Sequence, residues 1–351
     1  MVAATNGLRF AVIGIDHRHI YHLIAGLQDA GAICVGYVDI NRSDPRVAMG
    51  LREKFPDLTE STDTRRYLED ASIDLIVSAA IPAQRAAIAV EAMTHGKDVL
   101  VDKPGVTNAA QLQQVMDAVS RSGRIFSICF SERHIVPAVQ EALERVRQGA
   151  IGRPIHTMGV GPHRLNAAIR PGWFFDTESH GGILVDIASH QIDQFLVFTG
   201  SLDAQIAHSH AGHYGDDGAV DFQDFGEIML EGSGCRGYIR VDWFTPDGLP
   251  TWGDGRLYIT GTEGSIEIRK YIDVQGRPGT DHLLLVDRAG TRYLDCSSVR
   301  LDFFDKLVSD IRHRTETAME QHHVYTVCRL ALDAQAKALA PRPTTRPPPA
   351  R

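Results

Sequence analysis

The chain has 351 residues, of which 43% are hydrophobic and 23% are charged. This length exceeds what one hydrophobic core usually supports, so we expect two domains. The formal net charge of -8 argues against a nucleic acid or an anionic membrane surface as a partner. No apolar run reaches the roughly 20 residues of a membrane span, and Met1 to Gly7 lacks a signal-peptide pattern. The five cysteines show no short spacings, which predicts neither a zinc site nor a disulfide framework and fits reduced thiols in a cytoplasm.

The first third of the chain alternates strand-like and helix-like segments. The strand-like runs are Leu8 to Ile15, Ala32 to Ile40, Ile73 to Ala79, Lys97 to Val101 and Ile125 to Cys129. The helical runs are His19 to Ala30, Asp44 to Phe55, Ala83 to His95 and Asn108 to Ser122. Because the strands are apolar on both faces, the alternation predicts an α/β fold with a Rossmann-type parallel sheet over residues 1–130.

The pattern changes after Gly149. A helix is predicted over Gly181 to Phe198, and several alternating segments follow it: Ala204 to His210, Phe225 to Leu230, Arg236 to Trp243, Arg256 to Ile259, Ser265 to Ile268 and His282 to Val286. They predict an α+β domain over residues 131–340 with a large, mostly antiparallel sheet, closed by helices over Ser298 to Arg312 and Thr317 to Leu339. The Pro-rich tail, 341–351, is predicted to be disordered. Apolar residues on both faces of some strands predict a homodimer or homotetramer formed through this sheet.

The turn after the first strand is a candidate cofactor site. It reads Gly14-Ile15-Asp16-His17-Arg18-His19 and leads into a helix, where dinucleotide-binding domains carry a glycine-rich turn. Gly14 fits the first glycine, but Asp16 and His19 stand where the second and third are expected. A carboxylate there repels a diphosphate unless its side chain turns away, whereas the helix N-terminus supplies amide donors. An ordinary strand–helix turn is the alternative.

The second strand ends near a candidate ribose-binding acid. Asp39 lies 25 positions after Gly14, close to the spacing of roughly 20 expected for the acid that binds the adenosine ribose. An acid there favours NAD over NADP, and Arg42 leaves NADP open. A solvated strand end or a helix cap is the alternative for Asp39. The nearby histidines His17, His19 and His22 lack a recruited carboxylate or cysteine pattern, so no metal site is predicted.

Two further segments carry ionisable residues at informative places. Lys103 follows a predicted strand and precedes Pro104-Gly105, a rigid turn for which we expect a cis peptide. In an open parallel sheet ligands bind at the carboxyl ends of strands, so Lys103 is placed to reach one. Asp186 and His190 lie four residues apart on the predicted helix and share one face. Buried ionisable groups are costly unless paired, so this pair serves either structure or proton transfer.

These segments resemble the oxidoreductase family that includes glucose–fructose oxidoreductase, inositol dehydrogenase and MocA. The family pattern Gly-Gly-x-x-x-Asp-x-x-x-His-x-x-Asp is satisfied at Gly181, Gly182, Asp186, His190 and Asp193. Asp102-Lys103-Pro104 is similar to the family's Glu-Lys-Pro, with the shorter acid in place of glutamate. The resemblance extends over nearly the whole chain, up to about Ala340.

The resemblance implies an NAD(P)-dependent oxidoreductase acting on a CH–OH group of a sugar or polyol. In this interpretation His190 is the acid/base, Lys103 stabilises the reacting oxygen and Asp186 orients the substrate or His190. Trp173 either stacks on a sugar ring or belongs to the hydrophobic core. The residues predicted to bind the cofactor are Gly14, Ile15, Asp16, His17, Arg18, Asp39, Arg42, Ala80, Pro82, Asp102 and Lys103. Two alternatives stay open: a non-catalytic dinucleotide-binding sensor, and a lyase or epimerase-like enzyme that recycles tightly bound NAD.

Overall fold

The computed structural model describes residues 7–215 and 221–340. The first half of the chain alternates strands and helices as predicted. The strands are β1 (Arg9–Ile13), β2 (Ile33–Val38), β3 (Glu60–Ser61), β4 (Leu75–Ser78), β5 (Asp98–Asp102) and β6 (Phe126–Cys129). The helices are α1 (Ile20–Asp29), α2 (Pro45–Lys54), α3 (Arg65–Leu68), α4 (Pro82–Thr94) and α5 (Ala109–Ser122).

Within the described residues these six strands form one parallel sheet in the order β3-β2-β1-β4-β5-β6. The predicted Rossmann-type sheet is therefore confirmed. Strands β4, β5 and β6 are buried along their whole length, as expected for a sheet with helices on both faces. The strand order reverses between β1 and β4, and this reversal opens a crevice at the carboxyl ends of the strands, where such sheets bind ligands.

The second half of the chain builds a larger sheet. Its strands are β7 (Pro154–Pro162), β8 (Gln205–Gly212), β9 (Phe225–Gly232), β10 (Cys235–Asp242), β11 (Arg256–Gly261), β12 (Ser265–Arg269), β13 (His282–Asp287) and β14 (Gly290–Asp295). Over the part of the chain that the structure describes, they pair in the order β14-β13-β12-β11-β7-β10-β9-β8. All neighbours are antiparallel except β7 and β10, so the predicted mostly antiparallel sheet is confirmed.

The central strand β7 was not predicted, because glycines obscure its alternation. Gly159 and Gly161 face the side chain of Gln191, and a Cβ at Gly159 would lie 2.7 Å from Gln191 Cγ. The glycines therefore let the helix that carries Gln191 approach the sheet closely. The edge strand β14 was missed as well, since most of its residues are exposed and polar.

The helix predicted over Gly181 to Phe198 is not continuous, which corrects that prediction. It divides at Ile187 into two helices, which follow the short helices α6 (Ser131–His134), α7 (Pro137–Arg147) and α8 (Thr177–His180) and are numbered α9 (Ile183–Asp186) and α10 (Ala188–Thr199). The carbonyl of Asp186 accepts a hydrogen bond from Lys103 Nζ at 3.1 Å. The amide of His190, which a regular helix would direct to that carbonyl, donates instead to Ile187 O at 3.1 Å. The Asp186 carbonyl, which would accept a bond from the His190 amide in a regular helix, therefore bonds Lys103 at the point where the helix is interrupted.

Two helices close the fold, as predicted, and begin a few residues later than expected. They are α11 (Phe303–His313) and α12 (Gln321–Leu339). The side chain of Gln321 bonds both the amide and the carbonyl of Phe126 in β6. Buried side chains of both sheets and of α12 form one continuous hydrophobic cluster. The division at residue 130 stays a prediction, and the tail 341–351 lies outside the described residues.

None of the five cysteines, all of which the structure describes, forms a disulfide. Across residues 7–215 and 221–340, helices of the length and apolarity needed to cross a bilayer are absent.

Candidate active site

A cavity of about 650 Å³ lies at the carboxyl ends of the first sheet, between that sheet and the second. Its wall brings together nine of the predicted site residues: Asp16, His17, Arg18, Pro82, Asp102, Lys103, Trp173, Asp186 and His190. It also contains His163 and Arg164, basic residues that precede the Trp173 segment in the sequence, and groups that the sequence had not indicated: Glu132, Arg170, Trp243, Trp252 and Tyr271. Gly14, Ile15, Asp39, Arg42 and Ala80 are not part of the wall.

Lys103 and Asp186 form an ion pair across the cavity floor. Lys103 follows β5, and its Nζ donates to Asp186 Oδ1 at 2.8 Å as well as to the Asp186 carbonyl. Their side chains are 8% and 15% exposed. Burial alone would raise the pKa of Asp186, but the Lys103 ammonium holds that pKa below its usual range. The Asp186 carboxyl group is therefore ionised at neutral pH. The peptide between Lys103 and Pro104 is cis, as predicted.

His190 lies beside this pair on α10 and is almost fully buried. Burial lowers the pKa of His190 to about 3; the Glu132 carboxylate opposes this change and the Lys103 ammonium adds to it. Its Nδ1 has no hydrogen-bond partner in the described protein. Among the described residues no hydrogen bond or ion pair joins His190 to Asp186, whose partner is Lys103. The imidazole is therefore neutral at neutral pH and keeps a nitrogen free.

A second buried ion pair stands near His190. Glu132 is 2% exposed and accepts a hydrogen bond from Gln191 Nε2 at 2.9 Å and another from Lys270 Nζ. Burial alone would raise the pKa of Glu132, yet Lys270 and His190 bring it to about 2. Sequence reasoning missed Glu132, although it follows the end of β6. The rule that selected Lys103, a polar residue just beyond a parallel strand, would also have found it.

The turn at Gly14 has the backbone that a close approach to β4 requires. Gly14 has φ of +83°, and a Cβ there would lie 2.4 Å from the Cβ of Ala80. The Asp16 carboxylate is turned aside and accepts hydrogen bonds from Asn41 Nδ2 at 2.8 Å and from the Ile81 amide. Burial raises the pKa of Asp16, and the Asn41 amide opposes that rise. The Asp16 carboxylate is therefore directed towards Asn41 and away from the backbone of the turn.

Asp39 closes a local turn at the end of β2. Its carboxylate accepts hydrogen bonds from the Ser43 amide at 2.9 and 3.0 Å and from the Ser43 hydroxyl at 3.0 Å. Arg42, within this turn, has φ of +52°. Asp39 is therefore not the helix cap considered from the sequence, because the side chain of Asp44 caps α2 by accepting a hydrogen bond from the Arg46 amide.

Asp102 is buried at the end of β5 and contacts two of the histidines. His17 Nδ1 lies 3.3 Å from its Oδ2, and His19 Nδ1 lies 3.0 Å from its Oδ1. The expectation that these histidines lack a carboxylate partner was wrong, because Asp102 is distant in sequence and arrives through the sheet. The last acid of the family pattern, Asp193, is fully buried in an ion pair with Arg133 at 2.8 Å and His323 at 2.7 Å.

Both halves of the chain match one protein family. Residues 8–130 match the oxidoreductase family with an NAD-binding Rossmann fold, and residues 139–267 match the GFO/IDH/MocA C-terminal domain. The chain belongs to the GFO/IDH/MocA family. The predicted family, the oxidoreductase class and the NAD-binding domain are thereby confirmed.

Several members of the GFO/IDH/MocA family are similar along most of their length. A crystal structure from Erwinia carotovora atroseptica SCRI1043, named only as an oxidoreductase, is 44% identical with a TM-score of 0.90, over 94% of this chain and 98% of that chain. The scyllo-inositol 2-dehydrogenase (NAD(+)) of Bacillus subtilis is 27% identical over 86% of each chain. Levoglucosan dehydrogenase in complex with NADH and levoglucosan is 20% identical with a TM-score of 0.75, over 94% of this chain and 96% of that chain, which shows a common fold.

The residues of this GFO/IDH/MocA chain fit the dinucleotide of its family. Gly14 supplies the tight turn, and α1 begins at Ile20, just beyond the end of that turn. Asp16 turns its carboxylate onto Asn41, which removes the repulsion expected from the sequence. Arg18 is exposed on the same turn and lines the cavity. The roles of the individual site residues stay predictions.

Proposed function

We propose that the protein is an NAD-dependent dehydrogenase that oxidises a CH–OH group of a sugar or polyol. The observation that carries this proposal is the convergence of Lys103, Asp186 and His190 on one cavity at the carboxyl ends of a dinucleotide-binding sheet. Relatives named as scyllo-inositol and levoglucosan dehydrogenases support the substrate class. When bound, the nicotinamide supplies the hydride acceptor.

His190 is the proposed proton acceptor. A base must be unprotonated before the reaction, and the low pKa of His190 keeps its imidazole neutral over the physiological range. Its Nδ1 has no hydrogen-bond partner in the described protein, so no protein group competes there with a substrate for the imidazole. Acid–base assistance of this kind is worth about 10²–10⁴-fold in rate. Glu132 stabilises the imidazolium that forms, because its negative charge raises the pKa of His190.

Lys103 is the proposed donor to the reacting oxygen. Negative charge develops on that oxygen as its proton leaves, and a fixed ammonium group stabilises it. Asp186 holds Nζ through two acceptors, its carboxylate and its carbonyl, so the ammonium is oriented before the substrate binds. This role differs from the direct support of His190 that the spacing of Asp186 and His190 first indicated.

The cofactor is held, in this proposal, by the turn from Gly14 to Arg18 and by the segment of Pro82, Asp102 and Lys103. Asp39 favours NAD because a carboxylate repels a 2′-phosphate, although it must share its oxygens between Ser43 and a ribose. Titration of the purified protein with NADH and with NADPH, followed by fluorescence, tests this preference. Tighter binding of NADPH would contradict the role of Asp39.

Aromatic side chains in the cavity support a sugar or polyol substrate. Trp173, Trp243, Trp252 and Tyr271 line the wall, and Trp252 is 44% exposed despite its size. The ring centroids of Trp252 and Tyr271 lie 4.5 Å apart. Aromatic faces pack well against the apolar faces of sugar rings while the polar groups nearby bind hydroxyls.

Turnover with a panel of inositols, aldoses and anhydrosugars separates the three candidate functions. We expect absorbance of reduced nicotinamide to accumulate with at least one member of the panel. Product without accumulation of reduced nicotinamide would instead indicate recycling of bound NAD. The absence of both product and reduced nicotinamide would favour a sensor.

Substitution of His190 tests its role as the proton acceptor. His190→Asn is expected to lower turnover about 10²–10⁴-fold, because the variant lacks the base. His208→Asn, at an exposed position of β8, is the matched control and should retain full activity.

The open face of the second sheet supports a homodimer or homotetramer. Met229, Val286 and Tyr293 are 50%, 42% and 38% exposed, which is unusual for large apolar side chains in strands. Light scattering at micromolar concentration tests this, and a monomer would contradict it. The free thiols fit a reducing cytoplasm as the compartment.

A further inference from the structure

Three side chains of the kind that bind metal ions meet where β1 and β5 end. His17 and His19 lie in the turn before α1, and Asp102 is the last residue of β5. The distances from Asp102 are 3.3 Å to His17 Nδ1 and 3.0 Å to His19 Nδ1, each to a different carboxylate oxygen. One ligand atom from each residue lies within 4.8 Å of the others.

These separations suit a shared metal ion. A divalent first-row metal binds imidazole nitrogen and carboxylate oxygen at about 2.0–2.2 Å, which places neighbouring ligand atoms about 2.9–3.4 Å apart in a tetrahedral or octahedral shell. The observed distances of 3.0 and 3.3 Å fall in that range when both Asp102 carboxylate oxygens bind the same ion. Two imidazoles and one carboxylate are also a donor set that such metals use when further positions stay open.

We propose that His17 Nδ1, His19 Nδ1 and the Asp102 carboxylate bind one divalent first-row transition metal ion of the Zn²⁺ class. Both histidines line the 650 Å³ cavity and keep 22% and 29% of their side chains exposed, whereas Asp102 is buried behind them. The open coordination positions therefore face the cavity, where an oxygen atom of a small molecule completes the shell. His17 and Asp102 also belong to the proposed cofactor site, but metal binding can be measured without cofactor and without dehydrogenase activity.

The charged neighbours leave room for such an ion. Arg85 approaches Asp102 Oδ2 at 3.3 Å, but it directs Nε to Ala80 O at 2.8 Å and Nη1 to the carbonyls of Asp102 and Pro104 at 2.8 and 3.0 Å. Lys103 is paired with Asp186. Each neighbouring cation thus has acceptors of its own, and the Asp102 carboxylate keeps lone pairs for a metal.

The site accounts for a departure from the glycine-rich turn. His19 stands where the third glycine is expected, and its side chain makes no capping hydrogen bond to α1. Its imidazole instead faces Asp102, as does that of His17. The competing explanation is a hydrogen-bonded cluster in which the His19 imidazole donates to Asp102, the His19 amide donates to His17 Nδ1 at 3.4 Å, and no ion binds.

Cobalt binding tests the proposal on the full-length protein. After treatment with a chelator and its removal, the wild-type protein is titrated with Co²⁺ and followed by visible absorption, with Zn²⁺ as the competitor. We expect saturation at about one Co²⁺ per chain and displacement by Zn²⁺. Failure of the wild-type protein to saturate at one equivalent would overturn the proposal without the need for any variant.

Substitution by asparagine separates the metal site from the hydrogen-bonded cluster. The Asn amide can replace the Nδ1–H donor to Asp102, but it is a poor ligand for these metals. We expect His17→Asn and His19→Asn each to weaken Co²⁺ binding at least tenfold, since loss of even an outer-shell partner costs about 10–100-fold. His208→Asn is the control and should bind like the wild type. Equal binding by all three variants, with circular dichroism showing folded protein, would refute the assignment.

Discussion

Replacement of Lys103 by methionine tests the centre of the proposed mechanism. The substitution keeps the length of the side chain but removes the ammonium that bonds Asp186 through two acceptors. The Asp186 carboxylate then stays in place without its cation. Because burial alone raises the pKa of that carboxyl, we expect its pKa to rise in the variant.

The burial of this ion pair sets the expected loss of stability and of turnover in Lys103→Met. Removal of one partner from a buried ion pair costs about 3–5 kcal/mol. Since the Asp186 side chain keeps 15% exposure at the cavity wall, we expect a loss near the lower limit, about 3 kcal/mol. Turnover should fall about 10²–10³-fold, as for removal of one donor to a developing oxyanion. The double variant Lys103→Met, Asp186→Asn should recover part of the stability but none of the turnover.

Urea unfolding and steady-state kinetics measure the two effects separately. A double-mutant cycle over Lys103 and Asp186 should give a coupling free energy of about 1–3 kcal/mol. The control is Lys306→Met, which breaks the exposed pair with Asp302 (44% and 46% exposed) and should cost less than about 1 kcal/mol. Additive losses in the cycle, or turnover of Lys103→Met within a factor of ten of wild type, would refute the reasoning.

Three further predictions concern His190, Gly14 and Glu132. The pKa of His190 in the folded protein lies below its unfolded value of about 6.5, so its contribution to stability is complete above pH 6.5 and is lost on acidification. The free energy of unfolding should therefore fall by up to about 1.4 kcal/mol per pH unit below 6.5, and this slope should be smaller in His190→Asn. Gly14→Ala forces a Cβ against Ala80 at positive φ and should cost about 1–3 kcal/mol and abolish NADH binding measured by fluorescence; normal binding would contradict the fit at this turn. Glu132→Gln leaves Lys270 buried without its anion, so urea unfolding should show a loss of about 3–5 kcal/mol, and an unchanged midpoint would exclude that ion pair as a stabilising contact.

The first sheet was predictable because its strands and helices carry local signals. The run Leu8 to Ile15 contains β1, and the predicted helix over Asn108 to Ser122 differs from α5 by one residue. The parallel topology then follows from strands that are apolar on both faces. The proximity of Lys103 and Asp186 could be predicted as well, because Lys103 lies at a strand end and Asp186 lies in a specific family pattern.

The detailed hydrogen bonds and ion pairs between other distant segments were not predictable. Glu132 and Lys270 are 138 residues apart, and neither residue type indicates by itself that it is buried. The break at Ile187 depends on a lysine 83 residues earlier that takes the Asp186 carbonyl. Asp102, the carboxylate that His17 and His19 contact, is likewise far from them in the sequence. In each case an interaction formed only in the folded chain overrides the local preference.

The position of α12 affects how the chain folds during synthesis. This helix lies near the C-terminus, yet its Gln321 bonds β6 and its apolar side chains complete the core beneath the first sheet. A nascent chain that has emerged only through residue 130 carries every strand of that sheet but leaves part of its surface exposed to water. We therefore expect the N-terminal half to reach its final packing only after the last helix leaves the ribosome, and to need protection until then.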